Sequence, residues 1–364
     1  NWSTPIKMTD TCNFEVMYGT ESAKVTDLPT LPVSNNKYNS KGWYDEAVSG
    51  GLLIGQEEAV LFVQRMDKDL YAKIQCVPLV FCRQDYTQEL SQFIQSRAYQ
   101  SVGFDSQHTS YESYEAKKQF SCHWEPLKLF VEKLRSIKSA QEITQMRQAA
   151  ALGSLGYDYV LSILREGITE KEVARKLRTF WAEAGATGPS FPPIIAFGEH
   201  AAFPHAIVTD RPLCKGDIVL IDIGVLLNGY CSDMTRTIAW GTPHPKLIES
   251  YPIVVEAQKA AIALCKEGAL CGDIHEEVIR VLREQNLDPY FFHGTGHGVG
   301  RDVHEYPRLS PSGKTLVLES SMTVTVEPVV YFPGIGGIRI EDTLVIQGSK
   351  NFNLTERPVS PELI

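Results

Sequence analysis

At 364 residues, with 43% apolar and 22% charged content, the chain has the make-up of a folded protein of two domains. Its formal net charge of −9, from 35 Lys and Arg against 44 Asp and Glu, argues against a nucleic-acid or anionic-membrane partner, because both need a basic surface. No stretch approaches the roughly 18 apolar residues of a membrane span.

Eight cysteines without a Cys-x-x-Cys pair speak against a zinc ribbon, a thioredoxin-like site or a dense disulfide framework. Buried reduced thiols in a cytoplasmic protein are the expectation. A start at Asn1 rather than Met is silent on any targeting segment upstream.

In chain order, residues 1–133 mix short apolar runs at 51–63 and 74–82 with a helical stretch, Thr87–Ser96, and read as an α/β accessory domain. The texture changes near 134–139, so a second domain is expected over 134–364. Ser139-Ala-Gln-Glu142 is a capping box, and the helix it opens should run to about residue 164. Thr169-Glu-Lys-Glu172 is a second box, opening a helix with the apolar stripe Val173, Leu177, Phe180, Trp181 and Ala184 and a stop at Gly185.

Strands are then expected at 217–224 and 230–240, joined through Asn228-Gly229, the strongest short hairpin signal. Helices at 247–266 and 273–284 follow, and strands at 322–332 and 338–347 are joined across the Gly-rich residues 333–337. A helix pair and a hairpin thus occur twice, which suggests two similar halves facing each other.

The acids inside these hairpins carry the chemistry, since an acid in an apolar strand costs free energy unless paired, protonated or metal-bound. A two-residue loop at Asn228-Gly229 sets Asp222 opposite Thr235, with Asp233 two positions away on the same face. Glu327 and Glu341 lie symmetrically about Gly334 and can stand opposite each other. Four such carboxylates cannot all ionise without compensating cations, and two divalent ions would cancel them. His297, flanked by glycine on both sides, is the candidate fifth ligand. Oxygen ligands with one imidazole favour Mn²⁺ or Co²⁺ over a thiolate-type zinc site, with Zn²⁺ still compatible.

The segments 221–237, 293–305, 325–328 and 339–342 together resemble the metallopeptidase family of aminopeptidase P, prolidase and creatinase, in order, over about 135–348. The resemblance implies an α/β (α+β) chain. A pita-bread catalytic domain of two helix-pair and hairpin halves would follow a smaller accessory domain of the creatinase N-terminal kind. It implies that Asp233 and Glu341 bridge two metals, with Asp222 on one and His297 plus Glu327 on the other. It also implies that His205, His293 and His304 stabilise the scissile carbonyl, its oxyanion or the substrate's proline, and that Arg339 and Tyr331 line or brace that site.

Two cations sharing one water would bring its pKa toward neutrality for attack on the carbonyl, with Glu327 or another ligand acid moving the proton. The expected activity is an Xaa-Pro aminopeptidase acting on peptides with proline second, with an Xaa-Pro dipeptidase as the alternative. A metal-free binding scaffold ranks below both. A homodimer or higher homo-oligomer is expected. His108, His123, His200, His244 and His275 read as ordinary polar side chains. Nucleotide motifs fail, because Val299 and Arg301 stand where a third glycine is needed and Arg308 where a P-loop begins.

Overall fold

A computed structural model of the chain describes residues 6–9, 13–18, 21–25, 50–54, 59–65, 68–71, 78–82 and 87–359. The chain divides into two compact units, Asn1–Leu134 and Arg135–Ile364.

In the first unit the 51–63 run becomes two antiparallel strands, Gly50–Ile54 and Ala59–Gln64, and Leu79–Cys82 pairs parallel to the second of them. The start of the 74–82 run lies outside the described residues. Ser101–Asp105 and His123–Leu127 form another parallel pair. Parallel neighbours need a crossover, and the helix Thr87–Ser96 lies between these pairs in sequence, turning Leu90 and Ile94 onto Phe62, Val102 and Trp124.

The second unit begins with the helix Ala140–Ile163, whose capping box forms as its sequence expects. The Glu142 N–H reaches the Ser139 hydroxyl, and the Glu142 carboxylate reaches back to the Ser139 N–H. In the next helix, Glu170–Glu183, only half of the expected box forms. Thr169 accepts from the Glu172 N–H at 3.2 Å, whereas the Glu172 carboxylate turns outward to Arg165 and Lys176. Val173, Leu177 and Trp181 are buried on its inner face, and Gly185 ends it at φ +86°. Gly156 lets the two helices close up, since a Cβ there would meet the Trp181 ring, whose Nε1 donates to the Leu152 carbonyl.

The strands Asp217–Ile223 and Met234–Trp240 pair antiparallel in the expected register, with Asp222 opposite Thr235. Asn228 and Gly229 both have positive φ, the geometry of a type I′ turn. Alternation along the first strand assigns its faces. Val219, Ile221 and Ile223 enter the core under the first helix pair, and Ile218 and Leu220 enter the core shared with the second half. Asp222 continues the second set.

Helices Pro245–Leu264 and Cys271–Glu284 cover the second half, burying Val254, Ala257, Ile274 and Val278 against Val324, Val326, Leu344 and Ile346. The second hairpin keeps one register from Thr323 opposite Val345 to Phe332 opposite Gly336.

Neither hairpin is continuous, and the interruptions fall at the acids. The first breaks at Gly224 and Ser232-Asp233, the second at Glu327-Pro328 and Ile340-Glu341. Pro328 has no N–H to give a ladder. A Cβ on Gly224 would overlap the Ser232 carbonyl, and Ser190 bridges this kink by donating to the same carbonyl at 2.8 Å.

The strand Gly296–Gly298 pairs with Glu305–Leu309 and with the Thr323–Val326 strand. A Cβ on Gly296 would overlap the Thr325 carbonyl, and one on Gly298 the Tyr306 carbonyl. Gly296→Ala is therefore expected to lower unfolding free energy by about 1–3 kcal/mol through overpacking. A denaturation midpoint equal to wild type would contradict that close fit.

Candidate metal centre

The two hairpins meet at one backbone bridge, where the Glu341 N–H donates to the Thr235 carbonyl at 3.0 Å. Asp222, Thr235 and Glu341 consequently stand in one row across both sheets, and Glu327 takes the place opposite Glu341. Asp233 joins the row's face from two residues away, its carbonyl held by the Thr343 hydroxyl at 2.8 Å. Asp222, Asp233, His297 and Glu341 are buried, and Glu327 is half-buried. Ligand atoms of Asp233, His297 and Glu341 all lie within 4.8 Å of one another.

His297 is oriented from behind. Its Nδ1 lies 3.0 Å from the Gly298 carbonyl, which can only accept, so Nδ1 carries the proton and Nε2 the lone pair. That lone pair faces the Asp233 and Glu327 carboxylates at 3.7 and 3.5 Å. Burial pushes the imidazole down to about 3, so it is neutral, the form that binds a cation.

Among the described residues one cation, Arg339, pairs with a carboxylate of the row. Arg339 contacts Asp222 Oδ2 at 2.5 Å through Nη2 and the Tyr331 hydroxyl at 2.5 Å through Nη1. A single guanidinium does not balance four carboxylates. Burial, then the charges of Glu341, Asp222 and Glu327, hold Asp233 well above the usual carboxylate range. Burial and its carboxylate neighbours do the same to Glu341, and burial raises Glu327 to about 8. Asp222 Oδ1 and Glu341 Oε1 are buried with no hydrogen-bond partner among the described residues. Orphaned acid oxygens, raised carboxyls and an aimed imidazole lone pair form a donor set that fits divalent cations.

The three expected substrate-side histidines fare differently. His293 Nδ1 donates to the Gly294 carbonyl at 2.7 Å, so its Nε2 accepts from the Tyr331 hydroxyl at 3.1 Å. Both nitrogens are committed, and the chain Asp222, Arg339, Tyr331, His293 makes His293 a braced neutral ring with no N–H left for an oxyanion. His304 stacks edge-on to His297 at 4.2 Å between ring centres. His205 lies on an exposed loop, near enough for its charge to oppose protonation of both His293 and His304. Neither His205 nor His304 is hydrogen-bonded to protein among the described residues.

A metallopeptidase family M24 model matches residues 144–348, spanning both hairpins and the strand that carries His297. The chain belongs to metallopeptidase family M24. It is a hydrolase with the pita-bread fold, preceded by a creatinase/prolidase N-terminal domain matched over residues 42–137.

This M24 chain is 33% identical to the Xaa-Pro dipeptidase of Pyrococcus furiosus, covering 85% of its own length and 88% of the relative's. The structure of an Xaa-Pro dipeptidase from Bacillus anthracis is 36% identical with a TM-score of 0.82, over 87% and 89% of the two chains. An X-Pro aminopeptidase from Thermotoga maritima is similar at 27% identity and TM-score 0.78, over 85% and 89%. No helix among the described residues is long and apolar enough to cross a membrane.

Some parts of the M24 site escaped sequence reasoning. Arg236, 1% exposed, lies behind the row and donates to the carbonyls of Thr235 (2.9 Å) and Glu341 (2.6 Å), clasping the two hairpins. Asp342 neutralises it at 2.7 Å. Its signal was a lone charge, an Arg inside an otherwise uncharged strand. Thr235 also donates to Glu341 Oε2 at 2.7 Å, fixing which oxygen stays open.

Glu305, beside His304, was missed as well. It accepts from the N–H groups of Arg301 and Asp302 at 2.9 and 3.1 Å, from Lys138 at 3.1 Å, and from Arg135. Burial opposes its ionisation, yet Lys138 and Arg135 outweigh that and hold its carboxyl below the usual value. A carboxyl depressed on folding stabilises fully above its unfolded pKa and loses that contribution as pH falls through its folded pKa. Urea midpoints should therefore drop more steeply below about pH 4.5 in wild type than in Glu305→Gln. Parallel curves would show that the Glu305 cluster contributes nothing.

Proposed function

We propose that this chain is an Xaa-Pro dipeptidase that hydrolyses the bond preceding proline with two divalent ions, Mn²⁺ by preference. The supporting observation is the row of Asp222, Asp233, Glu327 and Glu341 facing the Nε2 lone pair of His297, in a chain that matches Xaa-Pro dipeptidases over most of their length. Sequence reasoning leaned toward the aminopeptidase. The more similar relatives tip the balance to the dipeptidase, and the likeness to an X-Pro aminopeptidase keeps the other reading in view.

Asp233 and Glu341 would bridge the ions, with Asp222 on one and His297 plus Glu327 on the other. Bound there, the ions supply Lewis acidity and an activated water. The uncommitted imidazoles of His304 and His205 hold the carbonyl oxygen as it gains charge. Glu327, at the edge of the row, moves the proton through its carboxylate. Arg339 and Tyr331 keep Asp222 and His293 in place. A proline after the cleaved bond brings no N–H, which suits a shaped pocket over strand-like binding.

A dipeptide also carries a free carboxylate just beyond the cleaved bond. Arg308, exposed and opposite His297 in register, is a cation that would meet it, and its charge opposes protonation of both His297 and His304. The test is hydrolysis of an Xaa-Pro dipeptide against an Xaa-Pro-Xaa tripeptide by Mn²⁺-loaded protein, with bound metal measured alongside. Dipeptide preference, weakened in Arg308→Gln through KM, is expected. Tripeptide preference would return the aminopeptidase reading, and a metal-free, inactive protein would refute both.

A further inference from the structure

Glu170 opens the second helix and is fully buried, yet the acid row makes no use of it. Its two carboxylate oxygens reach two separate places. Oε1 accepts from the Phe197 N–H at 3.0 Å and from His200 Nδ1 at 3.0 Å. Oε2 accepts from the Thr209 N–H at 2.9 Å and the Thr209 hydroxyl at 2.7 Å.

Phe197 and Thr209 are the two ends of the loop that carries His205. Its first part, the short turn Gly198–Ala202, packs under the Gly336–Arg339 strand, where a Cβ on Gly337 would overlap the Ala201 carbonyl. The remainder has no regular structure and exposes Phe203 (58%) and Ile207 (83%), so it does not bury enough apolar surface to hold itself. Two anchors remain. Arg339 Nη1 reaches the carbonyl of Pro204, the residue before His205, at 3.4 Å, and Glu170 ties the loop's two ends to a single carboxylate.

We propose that Glu170 is a positioning residue for His205: by closing the 197–209 loop it sets where the imidazole stands over the acid row. This inference rests on the reading that His205 acts on the substrate. An ionised carboxylate accepts all four hydrogen bonds, whereas an amide of the same shape turns a donor toward one of the N–H groups.

The test uses the metal-loaded full chain. Glu170→Gln should lose kcat by about 10- to 100-fold, the scale of a small misplacement, with KM and bound metal unchanged. If Glu170 acts through His205, the double variant Glu170→Gln/His205→Ala is no slower than His205→Ala alone. Losses that multiply would overturn the proposal. Should His205→Ala itself retain full rate, the role of His205 fails and this inference with it, an outcome distinct from an inert Glu170→Gln beside a damaged His205→Ala. If Glu170→Gln does not fold, Thr209→Val removes one of the four bonds, together with the one Thr209 accepts from the Arg211 N–H, while Thr209→Ser keeps both. A lower kcat in the valine variant only, again masked by His205→Ala, supports the proposal, and equal rates refute it.

Discussion

Replacing Asp233 by alanine is expected to abolish turnover, a loss of at least roughly 10³-fold, because several kcal/mol of cation-based charge stabilisation go with it. Metal content measured after gel filtration should fall with the activity. Asp233 is the acid that faces both His297 and the Glu341 side of the row, so its removal opens the set at the centre and not at an edge. The isosteric Asp233→Asn carries a second expectation. Without cations, burial and three neighbouring carboxylates make this acid costly, so the amide in chelator should unfold at a temperature no lower than wild type. Full activity in the alanine variant would refute a dinuclear centre, and a large loss of stability in chelator would show that the acid has a structural role instead.

Replacing His304 by alanine should slow turnover by on the order of 10²-fold while bound metal stays at the wild-type level, as expected when a donor to a developing oxyanion is lost. Its ring touches His297 only edge to face, so the ligand's own orientation, set by the Gly298 carbonyl, should survive. Loss of metal would make His304 a ligand. His293→Ala should behave differently, because that ring ends the chain from Asp222 through Arg339 and Tyr331. Its removal is expected to disturb Tyr331 before it disturbs the oxyanion.

Much of this centre was legible in the sequence because turn chemistry fixes register. Asn228-Gly229 admits one tight hairpin, and that hairpin sets Asp222 against Thr235 as the structure has it. The symmetry of Glu327 and Glu341 about Gly334 was readable for the same reason. What the pattern concealed was the interruption of both ladders at the acids, although Gly224 and Pro328 were visible as residues that a central strand tolerates poorly. Longer-range partners were out of reach. Arg236 with Asp342, Arg339 with Asp222 and Glu305 with Lys138 each join residues more than a hundred positions apart, and no local periodicity encodes such pairs. The half-formed cap at Thr169 shows the limit at short range, since two nearby basic side chains drew Glu172 away.

The bridge between Thr235 and Glu341 places the proposed chemistry on a seam, with two acids contributed from either side of it. Cutting the polypeptide in the 241–244 connection would leave each fragment with half a charge set and an exposed apolar face, so neither should show even residual peptidase activity alone. Mixing the fragments with a divalent salt should restore activity and association together, with the ion acting as the rivet. Chimeras that exchange one half between related enzymes would then succeed or fail on the match across that rivet, whatever the fold quality of each part.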